Sequence, residues 1–159
     1  MLELLATVGF FAACWYGYKG WIIRSAGPKA IRKPLSTENL FEWPDEGNYH
    51  CEIVGESFYQ PAIKRLAGTD NEHVNEKEFK AFIVPDNDNR HDDRAVRIDI
   101  EGMTVGHLSR EDARSFRRRL KSKNLTDQIT LCKALIVGGD GWNGNPSFYG
   151  VCLNIKEFE

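Results

Sequence analysis

The chain has 159 residues, 42% of them hydrophobic and 28% charged, with a formal net charge of −2. That is the size and balance of one ordinary globular domain with a short appendage, and it excludes a long disordered chain. It also excludes a polycationic nucleic-acid binder, so any affinity for phosphate has to come from a local patch.

The first element is Leu4 to Ile23, LLATVGFFAACWYGYKGWII. A helix of that length rises about 30 Å, the thickness of a hydrocarbon core. Lys19 is its only charge, and Trp15, Tyr16, Tyr18 and Trp21 gather at the same end, as an interfacial belt does. The pattern predicts one transmembrane helix within residues 1–24. A cleaved signal peptide is the main alternative, although no basic residue precedes the apolar run; a buried core helix is the other. Arg24, Lys29, Arg32 and Lys33 follow, so the positive-inside rule puts the rest of the chain in the cytoplasm. The expectation is a single-pass membrane protein with a cytoplasmic C-terminal domain. Gly9, Ala13 and Gly17 recur at four-residue spacing, a small-residue face that would serve homo-oligomerisation. Residues 25–48 carry Pro28, Pro34 and Pro44 without a sustained period and read as a linker, with a short helical turn after Ser36.

From residue 49 the pattern becomes globular. Strand-like runs occur at Tyr49–Val54, Glu78–Val84, Ala95–Ile100, Met103–His107, Gln128–Val137 and Tyr149–Ile155. Glu101-Gly102 between two of them signals a tight hairpin. Two helices interrupt the strands. Gln60–Ala67 has Ala62, Ile63 and Leu66 on one face and Gly68 as a stop. The second starts at Ser109, whose hydroxyl suits an N-cap with Asp112 in the reciprocal position, and its buried stripe is Ala113, Phe116 and Leu120. The fold class predicted for residues 49–159 is all-β with short helices: a six-stranded, OB-like β-barrel with two flanking α-helices.

Two stretches carry a family signature. One is Val54-Gly55-Glu56-Ser57-Phe58-Tyr59-Gln60. The other runs from Val84 to Arg110, VPDNDNRHDDRAVRIDIEGMTVGHLSR, with a Pro-Asp/Asn turn, then N-x-x-D-x-x-A-V, then V-G-H-L-S-R. Together they resemble the HIRAN domain, in order and spacing, over about residues 49–156. The resemblance implies an OB-type barrel that binds the 3′-hydroxyl end of single-stranded DNA. It implies that Phe58 and Tyr59 are the paired aromatics, with Asp92 as acceptor for the terminal hydroxyl and His91 beside it. It implies that His107 and Arg110 contact phosphate and that Phe148 is a late stacking aromatic, with Trp142 as its alternative. The chain departs from the DNA-binding members at Ser57, where they carry Arg, at Phe58, where they carry Tyr, and at His91, where they carry an aromatic. These departures support a second reading: a non-catalytic protein-interaction or structural module with the HIRAN fold and no DNA pocket.

The residues themselves suit an end-binding pocket. Aromatic faces stack bases, cations hold phosphates, and a carboxylate needs a donor such as a free hydroxyl. From Ser109 to Lys123 seven Lys/Arg stand against Glu111 and Asp112, either a solvated helix face or a surface that tracks a nucleic-acid backbone or lies near anionic lipid. The Asp-rich turn is not an EF-hand: counted from Asp86, position six is His91 and position twelve is Arg97, where Gly and Glu are required. The loop from Gly138 to Gly144 lacks the Lys-Ser/Thr of a phosphate loop and reads as a long hairpin turn. Cys14, Cys51, Cys132 and Cys152 have no ligand-like spacing and read as one membrane and three core residues. No metal, no cofactor and no enzymatic activity are expected; a metal-dependent nuclease on the Asp turn is the weakest alternative.

Overall fold

A computed structural model describes the chain at residues 39–68, 77–139 and 148–158. The expected membrane helix, its small-residue face, Trp142 and all but the end of the expected linker lie outside these residues. Among the described residues no helix is long and apolar enough to cross a membrane.

The described part is mostly β. It holds strands β1 (Phe41–Glu42), β2 (Cys51–Glu52), β3 (Glu78–Pro85), β4 (Val96–Ile100), β5 (Met103–His107), β6 (Thr130–Gly138) and β7 (Tyr149–Asn154). Helices α1 (Gln60–Ala67) and α2 (Arg110–Ser122) accompany them, with a 3-10 turn at Glu56–Phe58. The sheet order is β2-β7-β6-β3-β4-β5, each neighbouring pair antiparallel.

The sheet curls until its ends meet. Cys51 and Glu52 pair with Leu153 and Cys152 of β7, and the Ile53 N–H reaches the Val151 carbonyl. One residue later the chain changes partner. Val54 exchanges both backbone hydrogen bonds with His107 of β5, at 2.7 and 3.0 Å. The expected six strands are thus seven, arranged as a curled, OB-like sheet joined at one bridge.

The added strand is β1, in the stretch expected to be linker. It runs parallel to β6, pairing Phe41 with Thr130 and Glu42 with Leu131. The next residue explains it. Trp43 is 7% exposed, its indole donates to Thr130 Oγ1 at 2.9 Å, and its ring packs 5.8 Å from Phe116 of α2. Burying an indole with its N–H satisfied outweighs the proline-broken pattern around it. A turn at residues 45–47 then ties this segment down. The Lys133 ammonium, the Gly47 N–H and the Asn154 amide hold the Asp45 carboxyl down to about 2.

The helices follow their sequence signals. Ser109 caps α2, accepting from the Asp112 N–H at 3.1 Å while its hydroxyl donates to Asp112 Oδ2. Ala113, Phe116 and Leu120 are buried in the core with Ile63 and Leu66 of α1. Glu101 and Gly102 make the two-residue hairpin, both with positive φ. Cys51, Cys132 and Cys152 are buried and unpaired; burial pushes Cys51 up to about 12 and Cys152 up to about 11, which leaves them poor nucleophiles.

Gly106 lies where β2's tail crosses β5. A Cβ there would stand 2.6 Å from Ile53 Cδ1 and 2.9 Å from the Val54 carbonyl oxygen. Because the second contact is backbone, the crossing itself must move. Gly106→Ala is expected to destabilise the domain by about 1–3 kcal/mol, read by urea unfolding. A stability equal to the parent chain would show that the crossing is loose.

Candidate nucleic-acid interface

The candidate site begins in the β3–β4 turn, residues 86–95. Short polar side chains fold this turn on itself. Asn89 Oδ1 accepts from the His91 N–H at 3.0 Å, and the Asn89 amide donates to Asp86 Oδ2 at 3.1 Å. Asp92 Oδ1 accepts from the Arg94 N–H at 2.9 Å, and the Asp92 carbonyl from the Ala95 N–H at 3.0 Å. The N-x-x-D spacing therefore has a local cause: Asn89 and Asp92 each hold a reversal of the chain.

Two arginines fix the turn from outside it. Arg97 of β4 is 8% exposed; it donates to Asp86 at 3.2 Å and to both oxygens of Asp99 at 2.9 and 3.1 Å. Thr104 donates to Asp99 Oδ1 at 2.8 Å, so both buried charges are paired and hydrogen-bonded. Arg117 of α2 donates to the carbonyls of Arg94 and Ala95, each at 2.9 Å, and to Asn87 Oδ1 at 2.8 Å.

Between this turn and the start of α2 lies an open depression of about 380 Å³, lined by residues 89–93 with Arg110 and Arg114. Asp92 and Arg110 face each other in it, Oδ2 to Nε at 3.9 Å. The Asp92 side chain is recessed, 18% exposed, whereas Arg110 is 74% exposed. A pair this exposed contributes little by itself, so Arg110 can leave Asp92 for an incoming phosphate at small cost. His91 is exposed at the same rim.

The aromatic positions follow β2. Gly55 takes a left-handed φ of 81° and starts the 3-10 turn. Phe58 ends that turn and is 82% exposed, unusual for so large an apolar side chain. Tyr59 is half-buried against the core, its ring 5.9 Å from His107 and tilted by 44°. Phe148, half-buried, immediately precedes β7. The sequence-expected residues thus come together as Asp92, Arg110 and His91 in the depression and Tyr59 with His107 beside the bridge. Phe58 projects next to Tyr59.

A sequence scan matches the HIRAN domain over residues 46–135, more than half of the chain. The chain belongs to the HIRAN domain family. No curated protein and no solved structure gives a significant match.

Within the HIRAN motif, two residues escaped the sequence reading. Where β2 leaves β7 for β5, the edge of β7 would be left unpaired, and side chains replace the missing strand. Glu56 Oε1 accepts from the Val151 N–H at 2.6 Å. Gln60 accepts from the Tyr149 N–H at 2.9 Å and donates to the Tyr149 carbonyl at 2.7 Å. They bracket Phe58 and Tyr59, so they hold the aromatic segment against β7. A Glu and a Gln four apart around a strand end were the only signal, one that fits a helix equally well.

The basic run of α2 divides between the fold and the surface. Arg117 is committed to the turn, Arg119 donates to the carbonyls of Lys156 and Glu157, and Lys123 lies over the rings of Phe41 and Trp43. Asn89, Arg90 and Arg114, absent from the expected set, join the depression instead.

Glu56 supplies a test of the clamp. Burial raises its pKa above the ordinary carboxylate value, opposed by the Val151 N–H. A raised folded pKa means the folded state binds the proton more tightly, so this group's penalty is present at neutral pH and is relieved as pH falls through its titration. Glu56→Gln keeps the acceptor and removes the charge, so it is expected to match or exceed parental stability at neutral pH, the gain shrinking in acid. Glu56→Ala leaves the Val151 N–H unpaired, at a cost of about 1–3 kcal/mol. Urea unfolding across pH reads both; a pH-independent difference between the parent chain and Glu56→Gln would refute the assignment.

Proposed function

We propose that this HIRAN domain binds single-stranded DNA and takes the 3′-hydroxyl end into the depression between the β3–β4 turn and α2. One observation carries the reading: the depression pairs a recessed carboxylate, Asp92, with an exposed cation, Arg110. Anionic DNA is repelled by a carboxylate unless it brings a donor, and the terminal hydroxyl is the donor a strand end has. Arg110 and His107 then serve phosphate, and Phe58 and Tyr59 serve the terminal bases.

Fluorescence anisotropy on the full chain tests this with oligonucleotides ending in a 3′-hydroxyl, a 3′-deoxy or a 3′-phosphate terminus. Affinity is expected to fall in that order. Asp92→Ala is expected to weaken the hydroxyl-ended strand at least about tenfold, the scale of a hydrogen bond to a charged group. Phe58→Ala is expected to lose about 1–3 kcal/mol of binding with unchanged stability, because the side chain is exposed. Equal affinity for all three termini would remove the end-binding claim.

A second reading, a protein-interaction module without a DNA pocket, is favoured by the exposed Phe58 and Val54, which suit a protein partner as well as a base. Flat DNA titrations at low salt would favour it.

We further propose that the apolar run of residues 4–23 anchors the domain to a membrane with the domain on the cytoplasmic side. The chain is then expected to stay with the membrane pellet through alkaline carbonate extraction and to be cut by protease only from the cytoplasmic side. Release into the carbonate supernatant would remove the anchor.

A further inference from the structure

Helix α2 turns its cations in two directions. Ala113, Phe116 and Leu120 define its buried side. Arg110, Arg114, Arg118 and Lys121 are all exposed. At 100° per residue these four fall within an arc of roughly 80°, and from first to last they span about 16 Å along the axis. Arg118 bonds Ser115 one turn back, at 2.8 Å, which holds its guanidinium along the helix. Glu111 is the one acid on this side, and it stands in the first turn, where the helix dipole favours it.

The stripe has a depression at each end. Arg110 and Arg114 line the one that holds Asp92. Arg118 lines a second, of about 390 Å³, with Ser115, Ser122, Arg119 and Lys156. Both are open, so a chain can pass from one to the other over the helix.

We infer that the outer face of α2 is a phosphate track that carries the strand away from the end pocket. This rests on the end-binding reading and extends it to a length: the domain takes a run of several nucleotides, whose 5′-ward phosphates lie over Arg114, Arg118 and Lys121. The charge pattern fits such a backbone. Cations repeat at helical spacing with no aromatic between them, so the face attracts charge without reading bases.

The test compares hydroxyl-ended strands of roughly three and sixteen nucleotides, a range that spans common single-strand site sizes, on the full chain. Arg118 and Lys121 are used because neither lines the end pocket. The longer strand is expected to bind more tightly to the parent chain. Arg118→Ala with Lys121→Ala should weaken it about tenfold at low salt and flatten its log–log salt slope by about 1.4, two phosphates' worth. The short strand should be unaffected, and Arg118→Lys with Lys121→Arg should restore the long one. An unchanged slope and affinity ratio would overturn the track. Loss of binding to phosphatidylserine vesicles on the same substitutions, with DNA affinity intact, would assign the stripe to lipid and also overturn it. If the long strand binds with stripe dependence while the parent ignores the 3′ terminus, the end pocket falls and the track stands.

Discussion

The structure depends on one change of partner. After two residues beside β7, the chain crosses to β5, and Val54 bonds His107 in both directions. That crossing joins the two ends of the curled sheet at one bridge. It demands Gly106, because any side chain there meets Val54's own carbonyl. The same motif, V-G-H-L-S-R, then supplies the bridge residue His107, the buried Leu108 and the cap Ser109 before reaching Arg110. Closure of the sheet and placement of the exposed cation that faces Asp92 are thus consecutive steps of one short segment.

The crossing also creates the problem that Glu56 and Gln60 answer. Leaving β7 early would strand its N–H and carbonyl groups in a half-buried position, each at a cost of about 1–3 kcal/mol. Two side chains satisfy them and in doing so fix the 3-10 turn that presents Phe58. Phe58 gains nothing from the core at 82% exposure. A large apolar side chain held out by a rigid turn is preorganised for a flat partner, since little conformational freedom remains to be lost on binding.

Much of this was legible in the sequence, and the failures have a common cause. α1, the Ser109 cap and the Glu101-Gly102 hairpin declare themselves through local spacing, and their partners lie within a few residues. β1 does not. Its two residues are held by contacts between Trp43 and Thr130, 87 positions apart, and no period announces them. The division within the basic run is hidden for the same reason. Arg117 and Arg119 look like Arg114 and Arg118 in the sequence, but the first pair bonds carbonyls of the β3–β4 turn and the C-terminal segment. Composition counts charge; only tertiary contact decides which charges are spent on the fold. Glu56 and Gln60 stand in the sequence only as members of a motif, because a side chain that imitates a strand leaves no pattern of its own.

This division of cations bears on how an acidic chain can bind DNA. With a net charge of −2 there is no long-range attraction to a polyanion, and at physiological salt the screening length is about 8 Å. Attraction is therefore confined to the face where the exposed cations lie. Arg97, Arg117 and Arg119 contribute to it indirectly: by neutralising Asp86 and Asp99 and by bonding backbone carbonyls, they hold the turn and helix that frame the depression. In the proposed end-binding mode, selectivity falls to Asp92, the recessed carboxylate among the depression's cations. In that mode it disfavours an internal phosphate and is offset by a ligand that brings a donor such as a terminal hydroxyl. A strongly basic surface would bind strands anywhere along their length; a nearly neutral one with a recessed acid in its pocket can favour an end.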